Sequence, residues 1–366
     1  MSNHEPTRVG VLTGGGDAPG LNAVIRGVVK ATNQLGWEAL GFERGYEGLL
    51  PPACYRVLDS ENTKGILHLG GTILGTTNRG RFICKVGEGA RRQIDTEILD
   101  AARKTCLELN LRGLVCIGGD GSLTIAQQLH EHGVPVVCVP KTIDNDLEAT
   151  VVTFGFHSAV EFATEALDRL HTTAASHERV MVVEVMGRHA GWIAAHAGIA
   201  GGADVILIPE IPWNFEGIVR KVRQRDESGR RFTLIVAAEG ARWPDGKLVA
   251  QATGAGSVGE VRLGGIAVRV SEELERISGK ECRYVVLGHL QRGGPPNTFD
   301  RLLATRFGVS AVRLIVEGRF GRMVSYQPPD TLDVPISQAV DRVRTVPPNG
   351  DLVQTARALG ISFGDG

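Results

Sequence analysis

The 366-residue sequence predicts an α/β protein with mainly parallel sheets, and three observations predict it. Short β-branched runs alternate with helix-compatible segments, the order expected of βαβ units. Glycine occurs 48 times, roughly twice the usual ~7%, and it clusters directly after those runs. Polar residues of catalytic type gather in the same loops, and ligands in such folds bind at the carboxyl ends of parallel strands.

The first unit reads as a strand over Arg8–Thr13, a loop over Gly14–Gly16 and a helix through about Leu35, with Asp17 as N-cap and Pro19 in the first turn. The second reads as a strand over Gly113–Ile117, a loop over Gly118–Ser122 and a helix over Leu123–His132. A third strand, Val134–Val139, runs straight into Pro140–Asp146. A later set follows: a strand over Val180–Val185, the loop Met186–Arg188, and an alanine-rich helix from His189 to about Ala200. Strands are expected at Ala203–Ile208, Phe232–Ala238 and Arg283–Leu287, the last ending in Gly288–Gly294. Beyond about Gly321 the chain is richer in proline and carries no readable motif.

The length allows two domains, each with its own core. A formal net charge of −1 gives no bulk reason to expect nucleic acid or an anionic membrane as partner. The run from Val180 to Ile211 is interrupted by Glu184, Arg188, His189 and Asp204, which argues against a membrane span. The first ten residues lack the charged-then-apolar pattern of a signal peptide. The six cysteines form no C-x-x-C pair, so zinc-finger spacing is absent. A reduced cytoplasmic setting is the expectation.

Thr13-Gly14-Gly15-Gly16-Asp17 feeds a helix N-terminus, where amides and the helix dipole favour phosphate oxygens. It has neither the Walker lysine nor G-x-G-x-x-G spacing, and a plain tight turn fits it too. Gly118-Gly119-Asp120-Gly121-Ser122 adds a carboxylate to exposed backbone donors. Mg²⁺ favours one or two carboxylates together with substrate phosphates. A helix cap is the plainer role for Asp120. Thr142-Ile143-Asp144-Asn145-Asp146 sets two carboxylates one residue apart. Phosphoryl transfer to an alcohol needs an acceptor for the hydroxyl proton and a metal for the spreading charge. An Asx-rich turn accounts for the same spacing. Arg179, Arg188, Arg283 and Arg292 stand beside strand ends. Guanidinium groups grip phosphate in pairs of hydrogen bonds, although any one of the four fits a solvated surface charge. His289 lies in a glycine turn without a second histidine or cysteine at zinc-ligand spacing.

Together the segments GVLTGGGDAPGLNAVIRGVV, GGTILGTTNRG, IGGDGSLTIA, PKTIDNDL, HERVMVVEVMGRHAGW, AAEG, RYVVLGHLQRGG and DRLLATRFG resemble, in order, the ATP- and pyrophosphate-dependent phosphofructokinase family, over about residues 8–323. The resemblance implies two similar Rossmann-like domains with the active site in the cleft between them. Residues 7–156 plus about 291–323 would bind the phosphate donor; 157–290 plus about 324–366 would bind the sugar phosphate. It implies Mg-assisted transfer from ATP to the C1 hydroxyl of fructose 6-phosphate, a step of glycolysis. Gly15, Gly16, Gly119, Gly121 and Ser122 would line the donor site. Arg79 matches a donor-phosphate arginine, with Arg81 as the alternative. Asp120 matches the Mg²⁺ ligand and Asp144 the general base, flanked by Thr142 and Asp146. Met186, Gly187, Arg188 and Glu239 match sugar contacts, with Arg188 also among the catalytic set. His289 and Arg292 match contacts to the 6-phosphate. Arg179 and Arg283 would reach in from a neighbouring subunit of a homotetramer or dimer.

Two donor markers disagree, as in the mixed-substrate subgroup. Lys141 is the residue of pyrophosphate enzymes, whereas Gly121 is that of ATP enzymes. An aspartate at 121 would crowd and repel the α-phosphate of a nucleotide, whereas Lys141 adds a positive charge that either donor tolerates. ATP is therefore the expected donor, with pyrophosphate as the alternative. Arg26 matches an effector-site arginine but Lys30 replaces the next, which argues against family-type regulation. NAD and lipid kinases share the GGDG loop but are not expected to carry the other segments. A non-catalytic subunit would lack Asp120 or Asp144, and a nicotinamide oxidoreductase rests on glycine content alone.

Overall fold

The computed structural model describes residues 6–77, 80–82, 93–249, 263–340 and 342–366. In chain order the elements are β1 (Arg8–Thr13), α1 (Leu21–Gln34), β2 (Glu38–Phe42), β3 (Tyr55–Leu58), α2 (Thr96–Glu108), β4 (Leu111–Gly118), α3 (Asp120–Glu131) and β5 (Val136–Pro140). Then come α4 (Phe156–His177), β6 (Val180–Val185), α5 (Trp192–Ala200), β7 (Val205–Leu207), α6 (Phe215–Glu227), β8 (Thr233–Ala238), α7 (Ile266–Ser278) and β9 (Cys282–Val286). The chain closes with α8 (Thr298–Val316), β10 (Arg322–Gln327), β11 (Asp330–Pro335) and α9 (Asp351–Ala358). No described helix is long and apolar enough to cross a membrane.

The chain divides into two compact units. Unit 1 comprises Met1–Thr142, Leu147–His157 and Arg292–Arg342; unit 2 comprises Ile143–Asp146, Ser158–Gln291 and Val343–Gly366. The expected boundary near residue 323 therefore falls at 343. The reason is backbone pairing: β10 lies parallel to β5 and antiparallel to β11, which commits residues 322–335 to the first sheet. A second correction concerns Ile143–Asp146, which belong to unit 2 although the strand that leads into them belongs to unit 1.

Among the described residues, unit 1 holds a sheet in the order β11-β10-β5-β4-β1-β2-β3, parallel inside with an antiparallel strand at each edge. Its strands are apolar on both faces because both faces are covered. Val9, Val11, Val115, Ile117, Val137 and Val139 pack with α1 and α8. The alternate residues Leu12, Leu114, Cys116, Val136 and Cys138 pack with α2 and α3. Unit 2 holds an all-parallel sheet in the order β7-β8-β6-β9. Val180, Val182, Ile235 and Ala237 face α6 and α7, whereas Met181 and Leu234 face Ala174 of α4.

Helix starts differ from the sequence expectation. Asp17 and Pro19 lie outside α1, which begins at Leu21 after Gly20 in a left-handed conformation (φ 109°). The first intrahelical bond there runs from the Val24 amide to the Gly20 carbonyl. Conversely, α3 begins at Asp120, inside the expected loop, with the Leu123 amide bonded to the Gly119 carbonyl.

Candidate active site

The glycine loops of unit 1 meet at the carboxyl ends of β1, β4 and β5. The Gly14 amide donates to the Ile117 carbonyl (2.8 Å) and the Lys141 amide to the Gly118 carbonyl (2.9 Å). A Cβ on Gly14 would stand 2.5 Å from Ser122 Oγ, so only glycine lets the two loops touch. Gly15 is left-handed (φ 75°), which turns successive amides toward one side. Two residues overlooked in the sequence brace this nest. Thr76 Oγ1 donates to the Gly15 carbonyl (2.7 Å) and the Tyr46 hydroxyl to the Ser122 carbonyl (2.7 Å).

Lys141 is buried and its ammonium donates to the Gly16 carbonyl. The Arg292 guanidinium donates to the Asp17 carbonyl (3.1 Å). Both positive charges thus border the first glycine loop. Asp120 and Gly121 occupy the first turn of α3, where the helix dipole favours negative charge. Arg79 lies outside the described residues. Arg81, its alternative, is ion-paired with Glu47 (Nε–Oε2 3.3 Å). Thr142 is buried, and its carbonyl accepts from Thr153 Oγ1 (2.8 Å).

In unit 2, Asp144 is 5% and Asn145 3% exposed. Asn145 is left-handed (φ 53°), a conformation that asparagine tolerates better than most residues. Met186, Gly187 and Arg188 follow β6 and Glu239 follows β8, and the structure joins these loops. The Glu239 amide donates to the Val185 carbonyl (2.8 Å) and the Arg188 amide to Glu239 Oε1 (3.1 Å). His289 is exposed in a short helical turn after β9.

Arg179 and Arg283 stand elsewhere in unit 2. They lie at the amino ends of β6 and β9, where Glu281 pairs with both (2.8 Å and 2.5 Å). The hydrogen bond from Arg179, with both arginine charges adding to it, holds the Glu281 carboxyl below its ordinary range. A six-residue strand at ~3.3 Å per residue puts ~17–20 Å between its ends. These arginines are therefore separated from Arg188 and Glu239 of the same chain by the height of the sheet.

Among the described residues no three histidine, cysteine or acidic side chains gather to hold a metal. The donor set at Asp120 is one carboxylate at a helix start beside backbone amides. That set fits Mg²⁺ shared with substrate phosphates, because Mg²⁺ is usually bound through one or two carboxylates plus phosphate oxygens.

Comparison with known proteins agrees in sequence and fold. The family model for phosphofructokinase matches residues 8–315. An ATP-dependent 6-phosphofructokinase of Chloroflexus aurantiacus is 54% identical over 361 residues, 98% of each chain. ATP-dependent 6-phosphofructokinase 2 of Clostridium perfringens is 48% identical, again over 98% of each. Among solved structures, Pichia pastoris phosphofructokinase in the T-state superposes with a TM-score of 0.78 at 32% identity. That match covers 92% of this chain and 35% of the yeast chain, so this chain spans about a third of the yeast length. A pyrophosphate-dependent phosphofructokinase from Nitrosospira multiformis, 22% identical with a TM-score of 0.79 over 97% of this chain and 92% of its own, shares the fold.

Proposed function

The chain belongs to the phosphofructokinase family, and from that premise we propose that it transfers the γ-phosphoryl group of ATP to the C1 hydroxyl of fructose 6-phosphate, giving fructose 1,6-bisphosphate and ADP. The observation that carries the reading is the junction after β5. Lys141 lies against the donor-type glycine loop, and three residues later the chain delivers Asp144.

In this reading the amides of Gly15 and Gly16 and of Gly119–Ser122 hold donor phosphate oxygens, and Lys141 and Arg79 add positive charge. Gly121, having no side chain in the first turn of α3, leaves room for the α-phosphate, which favours ATP over pyrophosphate. Asp120 would hold Mg²⁺, which neutralises charge on the donor phosphates when bound. Asp144 accepts the C1 hydroxyl proton, and Thr142 and Asp146 flank it. Met186, Gly187, Arg188 and Glu239 orient the sugar, and His289 and Arg292 take its 6-phosphate. Arg179 and Arg283 serve the site of a neighbouring subunit in a cytoplasmic homo-oligomer, a tetramer or a dimer.

The test is fructose 1,6-bisphosphate formation by the purified protein with Mg²⁺ and either ATP or pyrophosphate. Turnover with ATP is expected. Turnover with pyrophosphate alone would overturn the argument from Gly121, and silence with both would overturn the acceptor. Asp144→Asn should lower kcat by about 10²–10⁴ with little change in the KM of fructose 6-phosphate. Full activity in that variant would remove Asp144 as the base.

A further inference from the structure

The C-terminal segment after Arg342 returns to unit 2 and makes a set of contacts with no counterpart in the motifs. The Arg344 amide donates to the Asp146 carbonyl (2.8 Å). The Arg344 guanidinium lies over the Trp192 ring, 4.4 Å from its centroid, and reaches toward the Asn145 carbonyl (3.5 Å). Trp192 Nε1 in turn donates to the Arg344 carbonyl (2.9 Å). Two residues on, the Val346 amide donates to Glu210 Oε1 (2.8 Å), and the same oxygen accepts from the Gly191 amide (2.9 Å).

We propose that residues 344–346 form a clasp that positions the Asp144 turn against the start of α5, with Arg344, Trp192 and Glu210 as positioning residues for phosphoryl transfer. The inference rests on the reading of Asp144 as the general base. Its physical basis is that the turn carries a left-handed residue and is held from outside. A left-handed non-glycine residue persists where its surroundings over-determine it. Asn145 is such a residue, and the clasp grips the carbonyls of both Asn145 and Asp146. The other end of the clasp holds Gly191 and Trp192, immediately after the Met186–Arg188 loop. One segment therefore ties the proposed base to the loop proposed to orient the sugar. Glu210 is a costly acceptor for this duty. Burial pushes its carboxyl above the ordinary value, and Oε2 is buried without a hydrogen-bond partner. Its return is the pair of amides it fixes.

The experiment is steady-state kinetics and thermal unfolding on full-length Arg344→Ala, Arg344→Lys, Trp192→Phe and the Arg344→Ala/Trp192→Phe double variant, with Asp144→Asn alongside. Misplacing a reacting group by ~1 Å can cost ~10² in rate. Arg344→Ala should thus lower kcat by about tenfold or more with both KM values within about twofold. The lysine variant keeps the charge but loses the planar stack, so it should recover less than half of the loss. The double variant should fall no further than the worse single one, because the two residues act as one unit. Wild-type kcat in both Arg344→Ala and Trp192→Phe, with Asp144→Asn inactive, would overturn the clasp and leave the function standing. A kcat loss that merely follows a lowered Tm would also overturn it. Full activity in Asp144→Asn would instead overturn the base assignment on which the clasp rests.

Discussion

The Lys141 ammonium is held at the rim of the glycine loop, bonded to the Gly16 carbonyl, with Gly15 beside it. In the proposed reading, a lysine so placed adds positive charge beside the donor phosphates, whichever donor enters. Not every partly buried titratable group in unit 1 is placed for chemistry. His157 packs between Phe156 and Phe299, at centroid distances of 5.3 Å and 4.3 Å. Burial lowers its pKa from 6.5, so the fold favours the neutral ring. The unfolded chain then binds the extra proton below pH 6.5, and stability falls as pH drops through that window. His157→Phe should lose less Tm than the parent between pH 7.5 and pH 5.5; equal losses would clear His157 of the effect. The raised carboxyls of Asp204 and Glu210 act in the opposite sense, but they are common to both proteins and leave the difference intact. At this scale the sequence made Asp120 and Asp144 legible, since each sits in a short motif. Arg344 was illegible because its partner Asn145 is 199 positions away.

Among elements, the strands β1 and β4–β9 were legible, whereas β2, β3, β10, β11 and the helix starts were not. Val180–Val185 is legible to the residue because five of its six residues are apolar, four of them valine, with Arg179 before it and a glycine loop just after it. Helix α7 had no local start signal. Its N-terminus is capped from another element: Glu184 of β6 accepts from the amides of Gly265 (3.0 Å) and Ala267 (3.0 Å). A buried glutamate within a strand reads locally as an anomaly, and only the packing of α7 on β6 explains it. Glu184→Ala leaves these amides without their acceptor and should cost about 2–3 kcal/mol, at the upper part of the range for an orphaned buried donor. Glu184→Gln, which keeps one acceptor oxygen, should cost less. Urea midpoints with an unchanged m-value are the measurement; equal midpoints for Glu184→Ala and the parent would show that the cap contributes nothing.

On the scale of the molecule, each unit displays its proposed site residues at the carboxyl edge of a parallel sheet, with Arg179 and Arg283 left at the opposite edge of the second sheet. That separation supports the reading that they serve another subunit. Arg283→Ala should then raise the KM of fructose 6-phosphate. Mixing it with Asp144→Asn subunits through an unfolding–refolding cycle should restore activity, because some hybrid sites combine intact halves. No recovery in the mixed protein, with both parents refolding alone, would place Arg283 outside any shared site.

The sequence by itself determined the fold class, most strands and the identity of the motif loops, because backbone hydrogen bonding and hydrophobic periodicity act between near neighbours. Tertiary structure decided what depends on distant partners. It drew residues 322–335 into the first sheet through pairing with β5, and it assigned Asp144 to unit 2 although β5 belongs to unit 1. It brought Arg292 to the Asp17 carbonyl and Arg344 to the Asp144 turn. These contacts are set by how the packed layers meet, and no local pattern of residues encodes them.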